Sequence, residues 1–175
     1  MTDAELVAAV RAGQTDALGR LFDRYSEPTW RLLSRMLGSP ADADDALQDV
    51  FIGLPDILAS YSGRAPLGAW IRGVAVNTAL MRLRSDRRRA EDALDESDAP
   101  TQTVSQPPDA VEDRVTIAAA LRALPEEFRT VFVLKEVSGY SHAEIARALG
   151  ISVSLSEVRL FRARKLLRTL VRDAQ

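Results

Sequence analysis

The 175-residue chain has no cysteine and a single histidine, His142. The first absence excludes disulfides, thiolate zinc sites and thiol nucleophiles, and the second removes most His-based catalysis and metal binding. No run approaches the roughly 20 consecutive apolar residues of a membrane helix. The opening Met1-Thr2-Asp3-Ala4-Glu5 is acidic where a signal peptide is basic, so a cytoplasmic chain is expected. Strand-type alternation is missing throughout, and no internal repeat is found. With 46% apolar and 27% charged residues the composition is that of a folded, water-soluble protein. No enzyme activity, cofactor or metal is predicted.

A net charge of −2 conceals strong blocks. Residues 1–60 hold 5 Arg against 10 acids, and residues 61–90 hold 7 Arg against Asp86 alone. Residues 91–115 hold Arg114 against 8 acids, and residues 116–175 hold 10 basic against 6 acidic side chains. Two basic zones split by an acidic one make a polyanion partner plausible even for an acidic chain.

Helical spacing accounts for most of the sequence. Thr2-x-x-Glu5 has the form of a capping box, opening a short helix that Gly13 stops. From 16 to 37, Leu18, Leu21, Phe22, Tyr25, Leu32, Leu33 and Met36 form one stripe to be buried, with Pro28 as a possible bend. After Gly38, Ser39-Pro40 opens a third helix with Ala43, Leu47, Val50, Phe51 and Leu54 inward, to be ended or kinked by Pro55. Residues 60–66 read as a loop, and a fourth helix runs from Leu67 to the arginines near 89. Residues 91–114 have linker composition. Helical spacing returns from Val115. Pro125 opens a helix carrying Phe128, Val131, Phe132 and Lys135, which Ser138-Gly139 stops. Ser141-His142-Ala143-Glu144 opens another, stopped by Gly150, and Ser154-Leu155-Ser156-Glu157 reads as the capping box of a last helix to about 172. The prediction is all-α, two helical bundles on a flexible tether.

Three clusters point to chemistry. An eight-residue helix, a glycine turn and an Arg-rich helix with Arg159, Arg162, Arg164, Lys165 and Arg168 has the layout of a DNA-binding helix-turn-helix; the competing reading is a solvated cationic helix end. In the third helix Asp42, Asp45 and Asp49, with Asp44 and Gln48 beside them, line one face. Their mutual repulsion turns into attraction against a cationic partner, although Asp42 and Asp44 also suit the helix dipole. A regular helix holds these carboxylates too far apart to wrap one metal ion. In and before the fourth helix, Tyr61, Trp70, Asn77, Arg64, Arg72, Arg82, Arg84 and Arg87-Arg88-Arg89 combine aromatics and cations in the way that suits unpaired bases. Trp70 alone fits a core equally well, and Asn77 fits a satisfied buried amide. His142 reads as an exposed helix-start residue without chemistry.

In order and spacing, Ala43-Asp44-Asp45-Ala46-Leu47-Gln48-Asp49-Val50-Phe51, Trp70-Ile71-Arg72-Gly73-Val74-Ala75-Val76-Asn77, Leu124-Pro125-Glu126-Glu127-Phe128-Arg129 and Gly139-Tyr140-Ser141-His142-Ala143-Glu144-Ile145-Ala146 through Arg159-Leu160-Phe161-Arg162-Ala163-Arg164 resemble a bacterial RNA polymerase sigma factor of the extracytoplasmic-function (ECF) subfamily. The resemblance implies sigma domain 2, a four-helix bundle over 1–90, a linker over 91–114, and sigma domain 4 with its helix-turn-helix over 115–175. It implies that Asp44, Asp45, Gln48, Asp49 and Phe51 bind core polymerase through the clamp coiled coil of its largest subunit, with the flap as a further contact. Tyr61, Ser62, Gly63, Arg64, Trp70, Asn77 and Arg84 would meet the single-stranded −10 element, and Ser154, Ser156, Arg159, Arg162, Arg164 and Lys165 the duplex −35 element. An anti-sigma factor, often membrane-bound, is implied as a regulator, which would hold the chain at the inner membrane. Three positions depart from the family pattern: Pro55 where Trp is common, Met81 where Asp often follows the Asn, and the segment 154–158. Since Ser156 falls where an apolar residue is usual, Leu155 or Val158 is expected to pack in its place, with the helix slightly rotated. A stand-alone helix-turn-helix regulator and a sigma-like adaptor that sequesters an anti-sigma factor are the alternatives.

Overall fold

The computed structural model describes residues 1–95 and 117–172, and among them only helices, turns and loops occur. Contacts divide the chain into two compact units, Met1–Ala79 and Leu80–Gln175. The linker expected at 91–114 falls, from residue 96 onward, outside the described residues; its first five residues continue a helix.

The first unit is built from α1 (Asp3–Arg11), α2 (Thr15–Leu37), α3 (Pro40–Ile52), α4 (Leu54–Leu58) and the start of α5 (Leu67–Asp95), inside which the division falls. The Thr2 hydroxyl accepts from the Glu5 N–H and the Glu5 carboxylate from the Thr2 N–H, so the predicted capping box opens α1. α2 ends at Gly38, whose φ of 76° only glycine adopts without strain. Pro28 sits inside α2, yet the helix continues to Leu37 because Leu21 on one side and Leu32, Leu33 and Met36 on the other are buried. Ser39 caps α3 and Pro40 occupies its first turn, as the sequence suggests. The break after α3 comes at Gly53 rather than at Pro55. Pro55 instead lies in the first turn of the short α4, where its missing N–H leaves no bond unmade. Leu54 and Leu58 of α4 and Leu67 and Ile71 of α5 complete the core.

A polar clasp fixes α1 against α2. Asp3 accepts from the Tyr25 hydroxyl at 2.6 Å and pairs with Arg24 at 2.6 Å, and Arg24 also donates to the Met1 carbonyl. The Tyr25 bond lowers the Asp3 pKa most; burial acts against it and Arg24 adds to it. Because the folded value lies below the unfolded one, the clasp is complete at neutral pH and is lost as pH falls through the carboxylate range. Burial, then Asp3, pushes the Tyr25 hydroxyl up to about 12.

The second unit contains α6 (Ile117–Arg122), α7 (Glu126–Phe132), α8 (His142–Leu149) and α9 (Val153–Arg172). Leu121, Leu124 and Ala163 are buried together, with Phe128, Phe132, Leu167 and Leu170 packed around them. Arg129 is buried and donates to the Leu124 carbonyl at 3.0 Å, tying the turn between α6 and α7; burial lowers its pKa. The helix read as running to Ser138 widens to a π-turn over Val133–Val137, with the Ser138 N–H reaching the Val133 carbonyl.

Gly68, in the first turn of α5, is required by close approach: a Cβ there would lie 2.9 Å from Tyr25 Cε1. The hydroxyl bond to Asp3 keeps that ring from swinging aside. Gly68→Ala should therefore lower stability by about 1–3 kcal/mol, against the usual gain of Ala over Gly in a helix. Urea melts of the two proteins check it; an equal or higher midpoint would show that the ring yields.

Candidate functional site

Burial of Ala43, Ala46 and Val50 sets the rotation of α3 and turns Asp44, Asp45, Gln48 and Asp49 to solvent. Asp44 accepts from the Trp30 indole N–H at 2.6 Å, and that half-buried ring on α2 extends the acidic face; sequence reasoning did not include it. Phe51, inward by helical spacing but assigned to core binding by the resemblance, is 6% exposed and meets Phe22 edge-on at 5.0 Å. It supports the face from beneath. Phe22, expected in the buried stripe of α2, is 42% exposed, and Ile52 beside Phe51 in sequence is 75% exposed.

The loop before α5 is closed on itself. The rings of Tyr61 and Trp70 pack at 5.2 Å, and the Tyr61 hydroxyl donates to the Ala65 carbonyl at 2.7 Å. Gly63 turns the chain at φ 74°, and Ser62, Gly63 and Arg64 are exposed. Trp70 is half-buried, neither a core residue nor a fully exposed one. Asn77, one or two turns further along α5, is exposed, so the buried-amide reading falls. Two aromatic planes, an exposed guanidinium at Arg64 without a partner among the described residues and an exposed amide are groups that can stack on bases, follow a phosphate backbone and read a base edge. Arg84 is exposed and, within the second unit, donates to the Ala148 carbonyl.

The helix-turn-helix has the expected first half. Ser141 and Glu144 close a capping box, and Gly150 makes the turn at φ 67°. The second half departs from the sequence reading. The Ser152 hydroxyl, not that of Ser154, accepts the N–H three residues on, at Leu155, and α9 begins at Val153. Glu157 therefore closes no capping box. Ser156 is fully buried, with its hydroxyl 2.9 Å from His142 Nδ1. Leu155 and Val158 stay 40% and 44% exposed, so no rotation of the helix brings either inward. The hydrogen bond makes a serine acceptable where an apolar residue was expected, and burial removes Ser156 from the exposed face of α9 to which the −35 expectation assigned it. His142 is correspondingly half-buried and bonded rather than exposed and idle.

With Ser156, Leu160 and Ala163 inward, α9 presents Ser154, Val158, Phe161, Arg162 and Lys165. Arg162, Lys165 and Arg168 have no acidic partner among the described residues. Arg159 is held by Glu127 at 2.7 Å and Arg164 by Glu136 at 2.5 Å. The side chain of Arg159 is only 20% exposed, so its guanidinium serves the packing of α9 on α7. The free cations point to phosphate contact and the two apolar side chains to base methyl groups.

The chain was compared with known proteins. Residues 21–89 match the Sigma-70 region 2 family and residues 114–167 match Sigma-70, region 4. Over 170 residues it is 33% identical to the ECF RNA polymerase sigma factor SigM of Mycobacterium tuberculosis, covering 97% of this chain and 85% of that protein. It is 32% identical over 176 residues to the ECF RNA polymerase sigma-E factor of Escherichia coli K12, covering 94% and 92%. Among solved structures, CnrH in complex with the cytosolic domain of CnrY superposes with a TM-score of 0.54 at 28% identity, over 99% of both chains. The sigma factor RpoE of Bartonella quintana, solved with the anti-sigma factor NepR, shares the fold, with a TM-score of 0.58 at 19% identity over 90% of this chain and 98% of that one.

Removing the buried hydroxyl gives a direct check on the helix-turn-helix. Ser156→Ala leaves His142 Nδ1 without its partner and should lower the unfolding free energy by about 1 kcal/mol. Denaturant melts measure it, and an unchanged midpoint would mean that the hydroxyl contributes nothing there.

Proposed function

The chain belongs to the ECF RNA polymerase sigma factors, and from that membership we propose how its surfaces divide the work of transcription initiation. The acidic face of α3 binds core RNA polymerase. The 61–66 loop, Trp70 and Asn77 engage the −10 element as a single strand, and α9 enters the major groove at −35. The polymerase does the chemistry, and the chain supplies location and strand opening. One observation carries this reading: the packed Tyr61 and Trp70 rings beside an exposed loop and a helix-turn-helix lie in one chain within the region 2 and region 4 matches. A stand-alone helix-turn-helix regulator has no use for the first, and against a sequestering adaptor stands the match over nearly the whole chain to proteins named as sigma factors.

Asp45 and Gln48 are exposed and have no partner among the described residues, which is how a surface meant for a cationic partner stands before it docks. On DNA, extrusion of a base from the stack costs a few kcal/mol, least at weakly stacked steps, and recovery of that energy on the Tyr61 and Trp70 rings favours sequences that open readily. Arg162 and Lys165 add phosphate contacts whose strength falls with salt. Tethering two modest sites raises the occupancy of promoters that carry both elements at the right spacing. For regulation we take two solved complexes as the guide, CnrH with the cytosolic domain of CnrY and the sigma factor RpoE with the anti-sigma factor NepR, and propose that an anti-sigma factor covers the polymerase-binding surfaces of this chain. No helix among the described residues is long and apolar enough to cross a membrane. We propose that the chain works in the cytoplasm, and at the inner membrane when such a partner is anchored there.

Run-off transcription with purified core enzyme and genomic fragments tests the function, with new start sites as the expected result. Core binding is tested by joint charge reversal, Asp45→Lys with Asp49→Lys. Co-purification with core polymerase should be lost while the helical circular dichroism is kept, and intact binding would remove α3 as the docking face. At −35, Arg162→Ala should weaken promoter binding by the holoenzyme and lower the slope of log affinity against log salt by about 1. An unchanged slope would mean that Arg162 touches no phosphate.

A further inference from the structure

Arg11 is the last residue of α1 and precedes the residues that match region 2. The buried side chains Leu6, Val7 and Val10 and the Asp3 clasp fix α1, and the Arg11 side chain reaches from its end to a segment about 50 residues away. Its Nη2 donates to the Leu58 carbonyl at 2.8 Å and to the Tyr61 carbonyl at 2.6 Å, and its Nε donates to the Leu58 carbonyl at 3.2 Å. Leu58 ends α4, so the first contact is a cation on a helix C-terminus and serves stability. The second contact has no such explanation, because Tyr61 lies beyond that helix, at the point where the chain enters the exposed loop.

Tyr61 is thus held through three groups: its carbonyl by Arg11, its ring by Trp70, and its hydroxyl by the Ala65 carbonyl. Fixing the carbonyl fixes the peptide plane that leads into Ser62, and with it the direction in which Ser62, Gly63 and Arg64 are presented. We infer that Arg11 is a positioning residue for strand opening: its guanidinium fork sets the 61–66 loop in the shape that receives the −10 strand before DNA arrives. The inference rests on the proposed assignment of that loop to the −10 element. The neighbouring Nε–H and Nη2–H both take the Leu58 carbonyl, which fixes the guanidinium plane and aims Nη2 at the Tyr61 carbonyl as well, whereas a lysine ammonium would reach the two carbonyls only as a point charge. A loop ordered in advance spends no binding energy on ordering itself, so loss of the fork should appear in the opening step and not in recruitment.

The test compares full-length wild type, Arg11→Ala, Arg11→Gln and Arg11→Lys as holoenzymes on a promoter found by run-off mapping, on fully paired template and on the same template with the −10 region premelted. For Ala and Gln, permanganate-detected opening of the paired template should fall roughly tenfold, the effect of one lost charge-assisted hydrogen bond. Core binding should stay within about twofold, and the premelted template should restore most transcription. Lys should lie between. In the free protein, tryptic cleavage after Arg64 should quicken several-fold, by more than the drop in melting midpoint from the lost Leu58 contact accounts for, a readout that needs no polymerase.

Unchanged opening would overturn the inference, as would unchanged Arg64 cleavage. Losses in core binding and melting midpoint that account for the opening defect would also overturn it, since they would make Arg11 a purely structural tie. If wild type opens no template while Arg64 cleavage responds to Arg11, the fault lies in the assignment of the loop to DNA, and the inferred role in opening fails with it.

Discussion

Each helix is free to rotate about its own axis until its apolar stripe finds a neighbour, and burial of that stripe settles what the other side offers. On α3 the small residues Ala43 and Ala46 and the larger Val50 are inside, so Asp45 and Gln48 are outside. On α9 Leu160 and Ala163 are inside, so Arg162 and Lys165 are outside. Burying a side chain the size of Val50 or Leu160 is worth roughly 1.5–3 kcal/mol, whereas an exposed ion pair is worth about 0–1. The apolar side therefore fixes the rotation, and the charged side accepts what results, including like charges placed together. Repulsion within the α3 face is tolerated because it is small and screened, and a cationic partner reverses its sign.

The same comparison explains why most of the fold was legible in the sequence. Capping boxes at Thr2 and Ser141, the Ser39-Pro40 start and the stops at Gly38 and Gly150 act within a few residues of chain, and each stands where the residues imply. What was not legible depends on groups distant in sequence. Ser156 reads as a polar intrusion on an apolar stripe until His142, fourteen residues earlier, supplies a hydrogen bond that makes it a core residue. The cap of α9 reads two residues late from the sequence because Ser154 has Glu157 three residues on whereas Ser152 has only Leu155, and the path of the chain after Gly150 nonetheless makes Ser152 the cap. The Phe22 ring turns outward against its place in the expected buried stripe, resting edge-on against the buried Phe51, and the π-turn at Val133–Val137 leaves no mark on periodicity at this length.

Among the candidate contacts, the cationic helix divides into two kinds. Arg159 and Arg164 are already neutralised by Glu127 and Glu136, so moving either to a phosphate exchanges one partner for another and gains little. Arg162, Lys165 and Arg168 give up only water and counterions, and counterion release makes that exchange favourable. A count of arginines in the sequence treats these residues as equivalent. The structure ranks them, and puts Arg162 first because it shares the outward side of α9 with Val158 and Phe161.

The loop before α5 shows the converse case, where polar contacts and not apolar burial decide the shape. Residues 62–66 are all exposed, and no hydrophobic side chain within them could anchor the chain. Their conformation rests on the ends: the Tyr61 carbonyl under Arg11, the Ala65 carbonyl under the Tyr61 hydroxyl, and a glycine at positive φ between. Such an arrangement leaves the loop's own side chains and most of its backbone groups free for a ligand, which a loop anchored by its own side chains cannot do. It also makes the loop sensitive to α1, so residues that touch no DNA would still govern how readily a promoter opens.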